Sequence, residues 1–270
     1  FWQFDQGRTS ARSFIYAEWF RELGIEHVAA MLPIPEKGSF LPPVAEKIPH
    51  LRSFLARSRA NGGCGWLPCA WGEQWPPLAL FMPAFQLAQA IAADPQADES
   101  RLYAEAARRC GPPWTPAALR GWCTAGAHCQ FADLLDNDWG NTPVRDRLAW
   151  LERAGLLDED CARAAAAAER CENLLASAMS DFPADAPERW AVADMAWRCR
   201  LQTACRERDA RQLAELSVQG KSLREQALTI FHRWWPDAEA ARRVALRYQP
   251  WEEAILAVPP ASRASVAVGR

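Results

Sequence analysis

Two aromatic residues and one acid near residue 70 have the chemistry of a sugar-binding site. Trp71 and Glu73 follow a Gly-rich turn and a short apolar run, and Trp75 comes two residues later. An indole offers a flat apolar face to the C–H face of a pyranose, and a carboxylate accepts hydrogen bonds from sugar hydroxyls. Carbohydrate is therefore the first substrate class to test, with Trp71, Glu73 and Trp75 as the candidate substrate-binding residues.

The segment before Trp71 is predicted to be a buried strand that carries these side chains to the edge of a sheet. Residues 61–65 form a Gly-rich turn, and the apolar run 66–71 is too short for a helix. The carboxyl ends of parallel strands are where α/β barrels build active sites. Pro68 departs from this pattern, because a proline inside a central strand removes a ladder hydrogen bond.

The rest of the amino-terminal third alternates between helix and strand patterns. Helices are predicted over residues 11–23 and 44–60, and a strand over residues 25–32, before the strand at 66–71. This order is typical of a parallel barrel or a doubly wound sheet. Two such units cannot close a barrel alone.

From Leu78 onward the patterns are helical only. Helices are predicted over residues 78–93, 100–110, 116–135, 142–154 and 158–179. Two more helices follow Pro187 and are expected to break near Arg208 and Asp209. The natural boundary between the two kinds of sequence lies between residues 93 and 97. The tail after Pro259 has no period and is expected to be frayed.

The chain contains 14 tryptophans, and those on helical stripes are expected to have a different role from those that follow the predicted strand. Trp190, Trp197 and Trp234 fall on helical stripes and are expected in the core, because large aromatics at helical spacing pack inside. His232 is expected at a helix end.

A loop with aspartates and an aromatic residue could line a cleft or simply form turns, since Asp and Asn are ordinary turn formers. Its residues are Asp136, Asp138 and Trp139.

Composition excludes several classes of function. The chain has 270 residues, half of them hydrophobic, so it can bury a sizeable core. The net charge is −2 and no basic block occurs, so a nucleic-acid partner is not expected. No apolar run approaches the roughly 20 residues that cross a bilayer, and no secretory leader is visible. The sequence begins with Phe1, so we expect a processed chain or the carboxyl-terminal part of a longer one.

The nine cysteines are predicted to be packing residues. Their spacings are not the C-x-x-C pairs of zinc or redox sites, and free Cys on a helix behaves as a small hydrophobe. Cys123, His128 and Cys129 form the one cluster that could bind a metal, although such a histidine is more often a core residue. We expect no metal or other cofactor and a reducing, cytoplasmic location.

The order of motifs resembles family 20 glycoside hydrolases, the β-N-acetylhexosaminidases. A Gly-Gly-x-Gly turn, an apolar strand, Trp71-Gly72-Glu73 and a proline-started helix are similar to the last barrel strand of that family. The helix around His50 and the segment from Phe231 to Trp234 are also similar. The resemblance implies a mainly α chain, with a short α/β remnant of a (β/α)8 barrel followed by an α-helical bundle domain. Residues 1–95 would be barrel, 96–258 helical domain and 259–270 a disordered tail.

The resemblance also implies a reaction. These enzymes remove a terminal N-acetylhexosamine by substrate-assisted hydrolysis, with an Asp-Glu pair at the end of an earlier barrel strand. No such pair ends an apolar strand here, because Asp98-Glu99 and Asp158-Glu159-Asp160 lie at predicted helix starts. The catalytic pair is therefore expected upstream of this chain. By the same resemblance, Trp71 walls the N-acetylglucosamine subsite and Glu73 binds its outer hydroxyls.

Three hypotheses remain from different classes. The first is this carboxyl-terminal part of a glycosidase, acting on an N-acetylhexosamine-containing glycan. The second is a noncatalytic helical module that binds carbohydrate or protein. The third is a complete small enzyme that combines Glu73 with Asp5 or Glu36, which is disfavoured because two strands cannot position both carboxylates.

Overall fold

The computed structural model describes residues 2–3, 15–34, 41, 44–70, 78–128 and 144–257. Over these residues the fold is mainly α-helical, with one small parallel sheet near the amino end. The strands are β1 (Trp2–Gln3), β2 (His27–Ile34) and β3 (Gly63–Ala70). The helices of the described residues are α1 (Ile15–Glu22), α2 (Val44–Ala60), α3 (Met82–Ala93), α4 (Glu99–Cys110), α5 (Pro116–His128), α6 (Val144–Arg153), α7 (Leu157–Ala176), α8 (Pro187–Glu207), α9 (Ala210–His232) and α10 (Asp237–Ala257).

The sheet has the order β1-β2-β3, and both pairings are parallel. Helix α2 connects β2 to β3 and contacts both strands. Its apolar stripe is buried in the core, as the 3.6-residue spacing predicts. The stripe contains Ile48, Leu51, Phe54 and Leu55. All described strands precede residue 71 and all described elements after it are helical, as the change of pattern indicates.

Close approach between α2 and β3 explains the glycines of the turn that joins them. Gly62 has a φ of +78°, a left-handed conformation that favours glycine. A Cβ on Gly63 would lie 2.3 Å from Ser58 Oγ and 3.0 Å from the Ser58 carbonyl oxygen. The absence of a side chain at Gly63 therefore lets β3 begin against the end of α2, three residues before the predicted start of the strand.

Pro68 lies within β3 without ending the strand. Its Cα is paired with that of Met31 in β2, and the register becomes irregular between Met31 and Ile34. In the part of the chain that the structure describes, β3 is at the edge of the sheet, where a proline can turn its missing N–H away from the neighbouring strand. The strand therefore accommodates Pro68 at the cost of local regularity.

Buried tryptophans hold α8 against α9. Trp190 Nε1 donates to the Leu223 carbonyl at 3.1 Å, and Trp197 Nε1 donates to the Leu216 carbonyl at 2.8 Å. Both indoles are almost completely buried, so their predicted core position is confirmed. Each indole buries its apolar ring and still has a partner for its N–H, as buried Trp requires.

The predicted core position of Trp234 is wrong. Helix α9 ends at His232, as predicted for that histidine, and Trp234 lies in the turn that follows. Its side chain is 47% exposed. Helix α9 ends two residues before Trp234, so the helical stripe does not carry Trp234 inward, and the following Trp235 packs against Phe231 instead.

Most helix bounds agree with the sequence within a few residues, but one helix is not predicted. The predicted break at Arg208 and Asp209 is present: Arg208 has a φ of +55° and Asp209 caps α9. Helix α10 is not foreseen as a separate helix, because Pro250 and several charged residues interrupt its pattern. The loop with Asp136, Asp138 and Trp139 lies outside the described residues.

Two arginines of α2 bind carbonyl groups at the end of α3 and in the turn before α4. Arg59 Nη2 donates to the Ala92 carbonyl at 2.6 Å, and Arg52 Nη2 donates to the Ala97 carbonyl at 2.5 Å. A guanidinium group at the carboxyl end of a helix satisfies free carbonyls and complements the helix dipole. The boundary predicted near residue 95 lies in this turn and stays a prediction. The hydrophobic core is continuous on both sides of it.

Two helical glycines should respond differently to alanine. A Cβ on Gly220 would lie 2.6 Å from Trp197 Cζ2, whereas one on Gly121 would meet the flexible Leu174 Cδ1 at 2.4 Å. We expect Gly220→Ala to lower the free energy of unfolding by about 1–3 kcal/mol, because the indole is held by its hydrogen bond to Leu216 and cannot move away. Gly121→Ala should cost less, since Leu174 can change rotamer and alanine favours the helix by up to about 1 kcal/mol. Denaturant unfolding of both variants tests this, and equal losses would contradict it.

Candidate functional site

The carboxyl ends of β2 and β3 lie side by side at one end of the sheet. Ile34, the last residue of β2, is paired with Ala70, the last residue of β3. Trp71 follows Ala70 directly in the sequence. The predicted strand is therefore present and parallel, and it ends where the candidate residues begin.

The candidate residues themselves fall outside the described part of the chain. Trp71, Glu73 and Trp75 belong to residues 71–77, and the alternative acids Asp5 and Glu36 belong to residues 4–14 and 35–40. Their assignment as substrate-binding residues therefore stays a prediction. The structure describes β3, the strand that directly precedes Trp71.

The two faces of the β2–β3 pair differ in their surroundings. Trp66 packs against the hydrophobic core on the side of α2. On the other face, Val28 is 48% exposed and Leu67 is 55% exposed. Gly65 lies between them, since a Cβ there would be 3.6 Å from Val28 Cγ2. Parallel sheets are normally covered on both faces, so this half-exposed apolar face is unusual for a parallel sheet.

The start of the sheet is fixed by contacts around His27. The Cys64 thiol donates to the His27 carbonyl at 3.2 Å, and the buried His27 ring lies 5.6 Å from the Phe20 ring of α1. The first contact joins β3 to β2 at the end of the sheet opposite to Trp71, and the second joins β2 to α1.

The acidic pairs predicted at helix starts are confirmed as such. Asp98 caps α4, because its Oδ1 accepts from the Arg101 N–H at 2.9 Å. Asp158, Glu159 and Asp160 occupy the first turn of α7. Their partners are Arg206, Arg163 and Gln202, respectively. Both groups lie at helix starts, so neither resembles a catalytic pair at a strand end.

The described cysteines are free thiols, and five of them are buried. Burial raises the pKa of the Cys161 and Cys205 thiols to about 11, so both stay protonated and unreactive at neutral pH. Burial likewise raises the pKa of Cys123. The side chains of His128 and Cys129 lie outside the described residues. Among the residues that are described, no group of three or more His, Cys, Asp or Glu side chains could hold a metal ion.

A buried carboxylate of α8, that of Asp194, joins α8 to α10. Asp194 Oδ2 accepts from Arg198 Nε at 2.9 Å and from Arg247 Nε at 3.1 Å. Asp194 Oδ1 accepts from the Tyr248 hydroxyl at 2.7 Å. Arg198 Nη2 also donates to the Arg247 carbonyl at 3.1 Å. All four side chains are buried.

The buried carboxylate of this network is compensated by two guanidinium groups. Burial alone would raise the pKa of Asp194, but the guanidinium groups of Arg198 and Arg247 and the Tyr248 hydroxyl hold it below its usual range. Burial and the neighbouring Asp194 raise the pKa of Tyr248 well above its ordinary value. The carboxylate is ionised and the phenol neutral, an arrangement that stabilises helix packing and offers no reactive group to solvent.

The sequence patterns do not predict this network, although one signal of it is present. Asp194 lies four residues after Trp190 and three before Trp197, so a carboxylate occupies an otherwise aromatic stripe. Arg198 follows four residues later, the spacing of an ion pair on one helix face. Nothing in the sequence pattern points to Arg247 and Tyr248, which come from α10.

Removal of the buried charge should destabilise the protein strongly. Asp194→Asn leaves Arg198 and Arg247 buried without an anion, and we expect a loss of about 3–5 kcal/mol in the free energy of unfolding at pH 7. Tyr248→Phe removes one donor and should cost about 1–3 kcal/mol. Asp185→Asn, which breaks an exposed ion pair, is the control and should have little effect.

The same network predicts the direction of the pH dependence. Because the pKa of Asp194 is lower in the folded state, its contribution is complete above the unfolded value near pH 4 and is lost as the pH falls further. The stability difference between the native protein and Asp194→Asn should therefore shrink below about pH 4. Urea unfolding from pH 3 to pH 7 measures it, and a difference that grows toward low pH would refute the assignment.

Comparison with known proteins found no matching family model, no matching curated protein and no matching solved structure. Within the described residues, no helix has an apolar stretch long enough to span a bilayer.

Proposed function

We propose that this chain is the carboxyl-terminal portion of a glycoside hydrolase of the β-N-acetylhexosaminidase type. It removes a terminal N-acetylhexosamine by substrate-assisted hydrolysis, with the catalytic Asp-Glu pair upstream of this chain. The observation that supports the proposal best is the parallel strand β3, whose carboxyl end directly precedes Trp71-Gly72-Glu73. Active sites of parallel α/β barrels are built from residues at such strand ends.

The proposed roles follow from the chemistry of the side chains. Trp71 stacks on the apolar face of the pyranose and forms a wall of the subsite. Glu73 accepts hydrogen bonds from the outer hydroxyls of the sugar, and these charge-assisted bonds orient the ring. Trp75 adds a second aromatic surface near the same strand end. None of the three residues transfers a proton, and no cofactor takes part in the proposed reaction.

Helix α2 links the sheet to the helices that follow it. It contacts β2 and β3, and its Arg52 and Arg59 bind carbonyls at the end of α3 and in the turn before α4. In the proposal, residues 1–95 complete a (β/α)8 barrel and residues 96–258 form its helical carboxyl-terminal domain. The half-exposed face with Val28 and Leu67 then belongs to the barrel interior, which other strands and their side chains fill.

The runner-up is a noncatalytic helical module that binds carbohydrate or protein. It is favoured by one observation: the acidic runs at Asp98 and Asp158 lie at helix starts, and the buried Asp194 belongs to an ion network, so none of these acids is paired at a strand end. The two proposals differ in a single respect that can be measured. Only the first requires hydrolysis in the full-length natural polypeptide that contains this sequence.

Kinetics of the full-length polypeptide test the proposed role of Glu73. Glu73→Gln keeps the size of the side chain and removes a charge-assisted hydrogen bond, so kcat/KM on an aryl N-acetyl-β-glucosaminide should fall roughly tenfold to hundredfold. The ratio of kcat/KM between N-acetylglucosaminide and N-acetylgalactosaminide should also change, because the two sugars differ in one outer hydroxyl. Trp71→Ala should cost more, by about 3–5 kcal/mol, since it also opens a cavity.

Glu26→Gln is the matched control for Glu73→Gln. Glu26 is an exposed acid that directly precedes β2, at the opposite end of the strands from Glu73. Removal of its charge should leave kcat/KM unchanged. Unchanged kcat/KM and sugar preference in Glu73→Gln would overturn the role of Glu73. A full-length polypeptide without hydrolase activity would instead favour the noncatalytic module.

A further inference from the structure

A carboxyl group is buried in the contact between α7 and α8. Asp160, in the first turn of α7, is only 5% exposed, and Gln202 of α8 is fully buried. Gln202 Nε2 donates a hydrogen bond to Asp160 Oδ2. An ionised carboxylate in such a place has lost its hydration, so its charge needs a cation or several donors as compensation.

The arginines beside this turn are bound to other acids. Two ion pairs are present, Asp158–Arg206 and Glu159–Arg163. Among the described residues, Gln202 Nε2 is the one hydrogen-bond donor to the Asp160 carboxyl. A neutral amide is a weak substitute for a guanidinium group, because hydrogen bonds from charged donors are roughly twice as strong. The buried carboxyl is therefore poorly compensated in its ionised form.

The amide of Gln202 has an acceptor without a donor. Within the described part of the chain, its buried Oε1 accepts no hydrogen bond. A buried acceptor that is left without a donor costs free energy. A protonated Asp160 has an O–H group that can donate to Oε1 while Nε2 still donates to the other carboxyl oxygen. The protonated acid can thus make both bonds to the amide, whereas the carboxylate can make only one.

Other ionisable groups around Asp160 do not offset its burial. Cys161 of α7 and Cys205 of α8 are protonated at neutral pH, because burial raises the pKa of each thiol to about 11. Helices α5 and α6 also contact α7. The described ionisable groups of these two helices are Arg120, Cys123, Asp146, Glu152 and Arg153. Burial raises the pKa of Asp160 above its ordinary value, and among the described groups only the Gln202 hydrogen bond lowers it.

We propose that Asp160 and Gln202 form a proton-binding site between α7 and α8. In the folded protein, Asp160 keeps its proton above the pH at which the unfolded chain releases it, and it donates this proton to Gln202 Oε1. Loss of the proton leaves an anion between the two helices and removes one of the two hydrogen bonds. The contact between the first turn of α7 and α8 therefore weakens as the pH rises.

The direction of this pH effect is opposite to that of Asp194. Because the pKa of Asp160 is higher in the folded state, its contribution to stability is complete below the unfolded value near pH 4 and is lost as the pH rises through the folded value. Asp194 has a lowered pKa and loses its contribution as the pH falls. The α7–α8 contact thus responds to high pH and the α8–α10 network to low pH.

Asp160→Asn tests the site, because asparagine resembles the protonated acid in shape and can make the same two bonds to Gln202. Urea unfolding from pH 3 to pH 8 compares the variant with the native 270-residue chain. Relative to the variant, the folding equilibrium constant of the native chain should fall by up to about tenfold per pH unit above pH 4, until the folded pKa is reached. Asp158→Asn is the matched control. It removes an exposed acid of the same turn together with its ion pair, so it should not gain stability over the native chain as the pH rises.

Two results of the unfolding experiment would overturn the proton site. If Asp160 were an ordinary ionised acid that complements the helix dipole, the native chain would gain stability over Asp160→Asn above pH 4. A difference that does not change with pH would show that folding leaves the protonation of Asp160 unaltered.

An NMR titration of the native chain tests the site without any variant. The side-chain carboxyl ¹³C signal of Asp160 and the side-chain amide signals of Gln202 should move with one common midpoint, above the unfolded value near pH 4. A midpoint at or below that value, or Gln202 signals that do not follow the carboxyl titration, would contradict the proposal.

Discussion

A carboxylate without access to water must be neutralised inside the protein, and Asp194 imposes this requirement on the packed helices. Its two oxygens take donors from α8 and α10, so the helices cannot separate without exposing an ion network that is stable only when complete. Trp190 and Trp197, on the same helix as Asp194, bind carbonyls of α9. One buried charge and two indole N–H groups thus join three helices.

The sheet is connected to the helices through α2, which contacts α3 and α5. Helix α2 lies between β2 and β3 in the sequence and packs on one face of both, while its arginines bind carbonyls around the α3–α4 turn. Gly63 permits the close approach that places the start of β3 against Ser58. The position of the strand end before Trp71 is therefore set by backbone contacts and by helix packing, several residues away from the side chains proposed to bind sugar.

The periodic features of the fold could be predicted from the sequence, and the long-range polar contacts could not. The stripe of α2 and the break at Arg208 follow from local spacing and helix-end chemistry, which act within a few residues. The Asp194 network joins residues about 50 positions apart, and no local pattern specifies which arginine pairs with which acid. Trp234 was misplaced because its spacing continues the helical stripe, whereas the chain leaves the helix at His232. The strand that precedes Trp71 could be predicted because a Gly-rich turn and a short apolar run define it locally, whereas the roles of Trp71, Glu73 and Trp75 stay predictions.

The central claim is that the strand end after Ala70 binds an N-acetylhexosamine through Trp71 and Glu73. A crystal structure of the full-length polypeptide with bound N-acetylglucosamine tests it most directly. The account predicts the sugar ring stacked on the Trp71 indole, with Glu73 carboxylate oxygens within about 3.2 Å of its outer hydroxyls. A sugar bound elsewhere, with Trp71 and Glu73 making no contact to it, would contradict the account.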